Sequence, residues 1–278
     1  MLREIISDGQ TRARIAPASI LQSRWVSRLT PQRRRLITDV VLCVSVIGAA
    51  GVDTAVLARA NRNSAALTEP RIVAESRFVV TNARAQSDLV QLVADFEPSA
   101  WTSLHTHGGQ AINLVLEGEI TLRHGGRDRP YKAGQSWTDS AGQVHAAGDT
   151  GSGKARLLTN FLLPNGAPQI TVLQESQLGP VVTYHAKFPL PSLATETEIV
   201  QQVIDLPPGW RAERAYHGFV ASLVMEGEVT LRIGPDRKLY KPGDAWMAQA
   251  STVVTEENNG PKRARVFVSY LVRKGATP

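Results

Sequence analysis

The feature that most constrains the fold of this 278-residue chain is an internal repeat. Residues 98–137 align with residues 207–246 without a gap, at a constant offset of 109, and 16 of the 40 positions are identical. A repeat of this length is far longer than a solenoid unit and matches a complete small domain. The body of the chain is therefore predicted to contain two copies of one domain.

Each copy carries the sequence pattern of short β-strands. The segment 114–122 alternates between apolar and polar residues with the period of a strand, and glycine-containing turns follow at 124–128 and 132–134. No long segment with the helical period of 3.6 interrupts the strands. The pattern predicts an all-β fold built as an antiparallel sandwich or barrel.

The positive charge of the chain is concentrated at its N-terminus. Residues 1–35 contain eight arginines and two acidic residues, which accounts for the whole net charge of +6. The rest of the chain is neutral, so nucleic acid is not expected as a partner. The single cysteine, Cys43, excludes an internal disulfide framework and a cysteine-rich zinc site.

The segment after the arginines has the pattern of an export signal. The thirteen uncharged residues 40–52 match the apolar core of a signal peptide, about 7–15 residues, better than the about 20 residues of a spanning helix. The run Arg-Arg-Arg-Leu-Ile at 33–37 resembles the twin-arginine export signal. Residues 1–60 are therefore expected to be an export signal or a membrane anchor, with 36–58 as the anchor in the second case. The remaining protein is then expected to be periplasmic or extracellular, and to meet a membrane only through this segment.

Three histidines in the first copy are candidates for metal ligands. His105 and His107 are two residues apart, so on a strand both imidazoles point to the same face, which is the interior in a barrel. With His145 from a neighbouring strand they would form a three-nitrogen site suited to Zn, Fe, Ni or Cu. The alternative is that the His-x-His pair packs at the barrel mouth without a metal.

These histidines lie in two motifs that resemble those of the cupin superfamily. The first family motif is matched by His105, His107 and Gly118, and the second by Gly142 and His145. The resemblance implies a double-stranded β-helix, or jelly roll, in each copy, and so a bicupin. With the domain boundary placed at the proline-containing stretch 163–166, the expected division is a linker at 61–70, a first cupin domain with a metal site at 71–165, and a degenerate second cupin domain at 166–278.

The first copy departs from the family motif at one ligand position. Ala111 stands where the family has a glutamate, and Gln110, one residue earlier, could reach the site only if a bulge at 108–109 turned it inward. Without a carboxylate, the site should favour Fe²⁺, Zn²⁺ or Cu²⁺ over Mn²⁺, and Fe²⁺ is the preferred expectation. Asn113 shares strand parity with His107 and is a candidate polar group for substrate binding.

The second copy lacks the metal ligands. The three histidines are replaced there by Arg214, Tyr216 and Val254. The second copy is therefore expected to be a structural partner of the first, with Arg214 as an alternative site for an anionic ligand. Tryptophans recur at equivalent positions in both copies, so they are assigned to packing and not to the site.

The sequence leaves three functions open. The three-histidine set resembles that of cupin dioxygenases, which implies one metal ion, a small organic substrate and O₂. A non-catalytic protein that binds a small molecule and a metal-dependent isomerase or lyase are the alternatives. Transcription-factor cupins are disfavoured because no helix-turn-helix segment accompanies the barrels. A homo-oligomer is compatible with such barrels.

Overall fold

The described part of the chain consists of strands and irregular segments, without a helix. In the computed structural model this part comprises residues 68–80, 86–193 and 196–277, all within one compact unit. The all-β prediction is confirmed for these residues, and none of them forms a helix that could cross a membrane. The predicted export segment, Cys43 and most of the predicted linker lie outside the described residues.

The strands follow the alternating pattern of the sequence. In chain order they are β1 (Arg71–Val79), β2 (Ser87–Phe96), β3 (Leu104–Thr106), β4 (Gln110–Glu117), β5 (Glu119–His124), β6 (Arg127–Lys132), β7 (Ser136–Asp139), β8 (His145–Asp149), β9 (Ala155–Pro164), β10 (Thr171–Gln174), β11 (Val181–Pro189), β12 (Thr197–Leu206), β13 (Arg211–Ala215), β14 (Phe219–Glu226), β15 (Val229–Ile233), β16 (Asp236–Tyr240), β17 (Ala245–Ala248), β18 (Val253–Glu257) and β19 (Ala264–Arg273).

The strands form four antiparallel sheets, two in each barrel. In the first barrel the inner sheet has the order β11-β2-β9-β4-β7 and the outer sheet β10-β3-β8-β5-β6. In the second barrel the inner sheet has the order β1-β12-β19-β14-β17 and the outer sheet β13-β18-β15-β16. Each pair of sheets is a jelly-roll-like sandwich, with its own apolar core between the two sheets.

The two repeats exchange their first strands. β1 pairs with β12 of the second barrel, and the equivalent strand β11 pairs with β2 of the first barrel. β10 also pairs with β3 of the first barrel. Strand pairing therefore crosses the predicted domain limits of 71–165 and 166–278. A linear repeat shows which segments are equivalent, but not which sheet each of them joins.

A third apolar core lies between the two inner sheets. Alternate residues of β4 divide between cores: Ile112 and Leu114 belong to the inter-barrel core, whereas Ala111 and Val115 belong to the interior of the first barrel. This division arises because successive side chains of a β-strand point to opposite faces of the sheet. It explains why β4 is buried on both faces, and it fixes which of its side chains can face the histidines.

Candidate metal site

The structure brings the three predicted histidines together inside the first barrel. His105 on β3 is directly opposite His145 on β8, and His107 follows the end of β3. The centroids of the three imidazole rings are 4.5–5.0 Å apart, and one ligand atom from each ring lies within 4.8 Å of the others. All three side chains are buried. The prediction that they share one interior face is confirmed.

A backbone carbonyl holds the Nδ1 atom of each imidazole. His105 Nδ1 lies 2.6 Å from the oxygen of Ser103, and His145 Nδ1 lies 3.0 Å from the oxygen of Gln143. His107 Nδ1 lies 2.7 Å from the oxygen of Gln169. Because a carbonyl can only accept, each Nδ1 carries the proton in the neutral ring, and each Nε2 keeps its lone pair.

Burial keeps two of these imidazoles uncharged at neutral pH. It lowers the pKa of His107 to about 3, although the hydrogen bond to Gln169 partly opposes the shift. Burial also lowers the pKa of His105, against the hydrogen bond to Ser103. A metal ligand must be deprotonated at the coordinating nitrogen, so these rings are ready to bind without first losing a proton.

The donor set fits a divalent transition metal. Nitrogens bound to a tetrahedral metal at about 2.1 Å lie about 3.4 Å apart, so ligand atoms within 4.8 Å of one another need only small side-chain rotations to meet one ion. Neutral imidazoles with their second nitrogen bonded to a carbonyl are the usual form of histidine ligands. The three histidines therefore could hold a metal ion.

Gln110 is not brought to the histidines. Its Nε2 atom donates to Thr138 Oγ1 at 3.1 Å and points to the face of β4 that packs against the second barrel. The bulge that would have turned it inward is absent, because β4 pairs with β9 in regular register from Gln110 to Val115. A Cβ on Gly109 would lie 1.9 Å from the oxygen of Leu162, so this glycine permits close strand packing instead.

Asn113 does face the barrel interior, as its strand parity predicts. Its Nδ2 atom donates to Asp139 Oδ2 at 2.8 Å, and its Oδ1 atom accepts from Thr159 Oγ1 at 2.8 Å. All three side chains are buried. Asn113 is thus part of a polar strip beside the histidines, and its role toward a substrate stays a prediction.

Asp139 is a site residue that the sequence reasoning missed. It is 1% exposed, and its Oδ2 atom lies 3.5 Å from His145 Nε2. It accepts hydrogen bonds from Trp137 Nε1 and Gln143 Nε2 as well as from Asn113. Burial raises the pKa of this carboxyl, while His145 and the hydrogen bonds oppose the shift. Its strand parity with the buried Trp137 was the available signal.

The second barrel fills the equivalent position with an internal ion pair. Arg214 Nη2 lies 3.0 Å from Glu256 Oε2, and the Tyr216 hydroxyl donates to the same carboxylate. Val254, which replaces His145, is buried in the apolar core of this barrel. Since Glu256 already balances the charge of Arg214, the arrangement gives no support to a separate anionic ligand there.

A protein-family model matches part of the first barrel. Residues 92–161 match the family described as "Cupin domain". This stretch runs from β2 into β9 and includes all three histidines and Asp139.

Two curated relatives match part of the chain. Both are named "HTH-type transcriptional regulator PuuR", one from Escherichia coli (strain K12) and one from Shigella flexneri. Each is 32% identical over 85 residues, which is 30% of this chain and 46% of the relative. The chain thus spans less than half the length of the curated relatives it matches.

Several solved structures are similar at low identity. AerE from Microcystis aeruginosa is 14% identical, with 73% of this chain and 99% of that chain covered, at a TM-score of 0.47. A mutant oxalate decarboxylase from Bacillus subtilis is 13% identical, with 76% of each chain covered, at 0.49. A mutant salicylate 1,2-dioxygenase from Pseudoaminobacter salicylatoxidans is 10% identical, with 66% and 70% covered, at 0.41.

Proposed function

The chain belongs to the cupin superfamily, and on that premise we propose that its first barrel binds one divalent transition metal ion and acts on a small organic molecule as a metal-dependent dioxygenase. The observation that carries the proposal is the set of three buried imidazoles, His105, His107 and His145, each with Nδ1 held by a carbonyl and Nε2 free to bind. Fe²⁺ is the preferred metal because imidazole ligands suit it and because the three-histidine set resembles that of cupin dioxygenases.

The surroundings of the histidines support a small, mainly apolar substrate. Phe161 packs against His107 with a ring distance of 4.8 Å, and apolar side chains such as Leu92 and Val115 line the same interior. Asn113 adds a polar group on this face. When bound, the metal would supply a Lewis acid with positions open to substrate and O₂. The protein's own contribution is to orient the ligands and to exclude bulk water.

Metal content is the first test of this proposal. The purified wild-type protein, loaded with Fe²⁺ under anaerobic conditions, is expected to retain about one ion per chain by mass spectrometry, because three histidine ligands converge on one position. His105→Ala should retain much less. His217→Ala is the matched control, since His217 is an exposed histidine of the second barrel. Equal metal content in all three proteins would refute the site.

Oxygen consumption separates the enzymatic alternatives. The iron-loaded protein is offered a panel of small organic acids and phenols while dissolved O₂ is recorded. Consumption that depends on both substrate and His105 supports a dioxygenase. Turnover under strict anaerobiosis would instead favour a metal-dependent isomerase or lyase.

A non-catalytic small-molecule-binding protein is the second candidate. It is favoured by the curated relatives, which are named as transcriptional regulators and not as enzymes. Binding of a compound in the panel without turnover, with or without O₂, would support this candidate over the first.

Export through residues 1–60 is also part of the proposal. It is supported by the arginine-rich start followed by thirteen uncharged residues. Fractionation of cells that express the full chain should place the protein outside the cytoplasm, and replacing Arg33 and Arg34 with lysine should retain it inside. Cytoplasmic recovery of the unaltered chain would contradict export. A homo-oligomer stays a prediction.

A further inference from the structure

A buried carboxylate lies beside the histidines at a place where the sequence motif has none. We infer that Asp139 is the carboxylate ligand of the metal site, supplied by β7 in place of the glutamate that Ala111 replaces on β4. The inference rests on the proposed metal site and adds a fourth protein ligand to it.

The position of Asp139 follows from strand register. Asp139 on β7 pairs directly with Ala111 on β4, and paired side chains in an antiparallel sheet point to the same face, with Cβ atoms about 5 Å apart. That face is the barrel interior, because Ala111 belongs to the core of the first barrel. The carboxylate absent from β4 is therefore present on the neighbouring strand, where the small side chain of Ala111 leaves it room.

The contact between Asp139 and His145 has the separation of two ligands on one metal. Oδ2 and Nε2 are 3.5 Å apart, close to the value of about 3.4 Å for tetrahedral ligands. In the neutral ring of His145 the lone pair is on Nε2, because Nδ1 is the nitrogen next to the Gln143 carbonyl. Two acceptor atoms that face each other in a buried site repel unless a cation, a proton or a metal ion, lies between them. The geometry therefore requires a cation here, and the other two histidines favour a metal.

The carboxylate is held in place by neutral donors. Trp137 Nε1 donates to Oδ2 at 3.1 Å and Asn113 Nδ2 at 2.8 Å, while Gln143 Nε2 donates to Oδ1 at 2.9 Å. Such hydrogen bonds orient a ligating carboxylate. None of these three donors brings a positive charge, so the buried charge of Asp139 is left for a cation between it and His145.

The second barrel provides an internal control. Ala248 occupies the position equivalent to Asp139, and the three histidines are absent as well. The equivalent tryptophan is retained, but the buried Trp246 Nε1 has no hydrogen-bond partner, whereas Trp137 Nε1 bonds Asp139. The aspartate thus accompanies the histidines and not the tryptophan, as expected for a ligand and not for a packing residue.

A carboxylate ligand changes the expected metal preference. The sequence predicts a site without a carboxylate that disfavours Mn²⁺. With Asp139 included, the site has three neutral nitrogens and one anionic oxygen, so it should bind Mn²⁺ and Fe²⁺ more tightly than the three nitrogens alone.

The test is the near-isosteric variant Asp139→Asn, probed with Co²⁺ and Mn²⁺ alone. We expect a loss of affinity of about 10–100-fold in competition titrations and a changed visible absorption spectrum of bound Co²⁺, because a ligand is removed. Asp128→Asn, at an exposed position on β6, is the matched control and should bind as the wild type.

A second variant keeps the inference testable if Asp139→Asn fails to fold. The double variant Ala111→Glu, Asp139→Ala moves the carboxylate to the opposite residue of the strand pair and balances the side-chain volume. It should bind Co²⁺ within about 10-fold of the wild type, whereas Asp139→Ala alone should not.

The outcomes for this inference and for the proposed function are distinct. Wild-type affinity and an unchanged Co²⁺ spectrum in Asp139→Asn, with metal lost in His105→Ala, would overturn the role of Asp139 and leave the metal site intact. A lower affinity with an unchanged spectrum would also overturn ligation. No metal binding by the wild type would remove the metal site itself.

Discussion

At the scale of single residues, the Nδ1 contact of each imidazole decides what the ring can do. His107 illustrates this, because the carbonyl that holds it belongs to Gln169, 62 residues further along the chain. The hydrogen bond fixes the proton on Nδ1 and aims Nε2 into the barrel. The ring is then buried uncharged, which favours metal binding but makes the folded state sensitive to acid.

The metal-free protein is therefore expected to lose stability as the pH falls below 6.5. The pKa of His107 is about 3 in the folded state and about 6.5 in the unfolded state. Between these values the unfolded state binds more protons, so the stability that the neutral ring allows is present above pH 6.5 and declines down to about pH 3. The free energy of unfolding should fall by about 2 kcal/mol less between pH 7 and pH 5 in His107→Gln than in the wild type. Urea unfolding in the presence of a chelator at the two pH values measures this.

The comparison of the two proteins isolates the contribution of His107. Titrating groups remote from His107 are shared by both proteins and cancel to first order. Parallel pH dependences for the wild type and His107→Gln would show that the buried ring does not titrate in the expected window.

The residue scale also shows what the sequence could and could not predict about the site. His105 and His107 share a face because strand period requires it, and His145 stands at the family's spacing. Asp139 and Gln169 were not predicted, because their roles depend on strand register and on a loop packed from elsewhere in the chain. Gln110 was considered because of its place in the motif, but the regular register of β4 turns it toward the other barrel.

At the scale of elements, the tight turn between β4 and β5 sets the entry into the outer sheet. Gly118 has a φ of +72°, and a Cβ there would lie 2.6 Å from the oxygen of Lys154. The equivalent Gly227 has a φ of +71° and meets the oxygen of Arg263 at the same distance. Both turns therefore require a glycine for the same physical reason. The requirement is the same in the repeat that has the three histidines and in the repeat that lacks them.

Gly118→Ala is expected to destabilise the protein by about 3 kcal/mol, from left-handed strain together with the backbone contact. Gly125→Ala is the matched control. Gly125 also has a positive φ, +57°, but nothing lies within 4 Å of the added Cβ. The control should cost only about 1 kcal/mol. Urea unfolding of both variants measures the difference, and equal losses would show that the contact with Lys154 relaxes freely.

Element prediction succeeded where the signal was local. Alternation, turn glycines and the repeat predict the strands around 114–122 and their copies, and the structure has β4, β5, β14 and β15 there. The exchange of β1 and β11 was not predicted. The pairing partner of an edge strand depends on how the two inner sheets pack against each other. The alternation of apolar and polar residues within either strand does not encode that packing.

At the scale of the whole molecule, buried polar groups join the two inner sheets across the apolar inter-barrel core. Gln91 Nε2 donates to Ser269 Oγ at 2.7 Å, and Ser269 Oγ donates to Asn160 Oδ1 at 2.9 Å. Asn160 Nδ2 donates to Gln201 Oε1 at 2.6 Å. All four side chains are 0% exposed. Each repeat contributes one glutamine and one smaller polar residue, so the network follows the same repeat as the strands.

The two barrels are expected to unfold in one transition, and the polar network is expected to stabilise the folded state. Their inner sheets share an apolar core, and a buried donor or acceptor that loses its partner costs about 1–3 kcal/mol. Gln91→Ala and Ser269→Ala should each lower the free energy of unfolding by that amount, and the double variant by less than their sum, because the two side chains share one hydrogen bond. Gln174→Ala, at an exposed position on β10, is the control and should change stability little. Urea unfolding followed by far-ultraviolet circular dichroism and by tryptophan fluorescence tests both expectations, since the tryptophans report from both barrels. Two separate transitions would show that each barrel is stable alone despite the exchanged strands, and additive losses would show that Gln91 and Ser269 act independently.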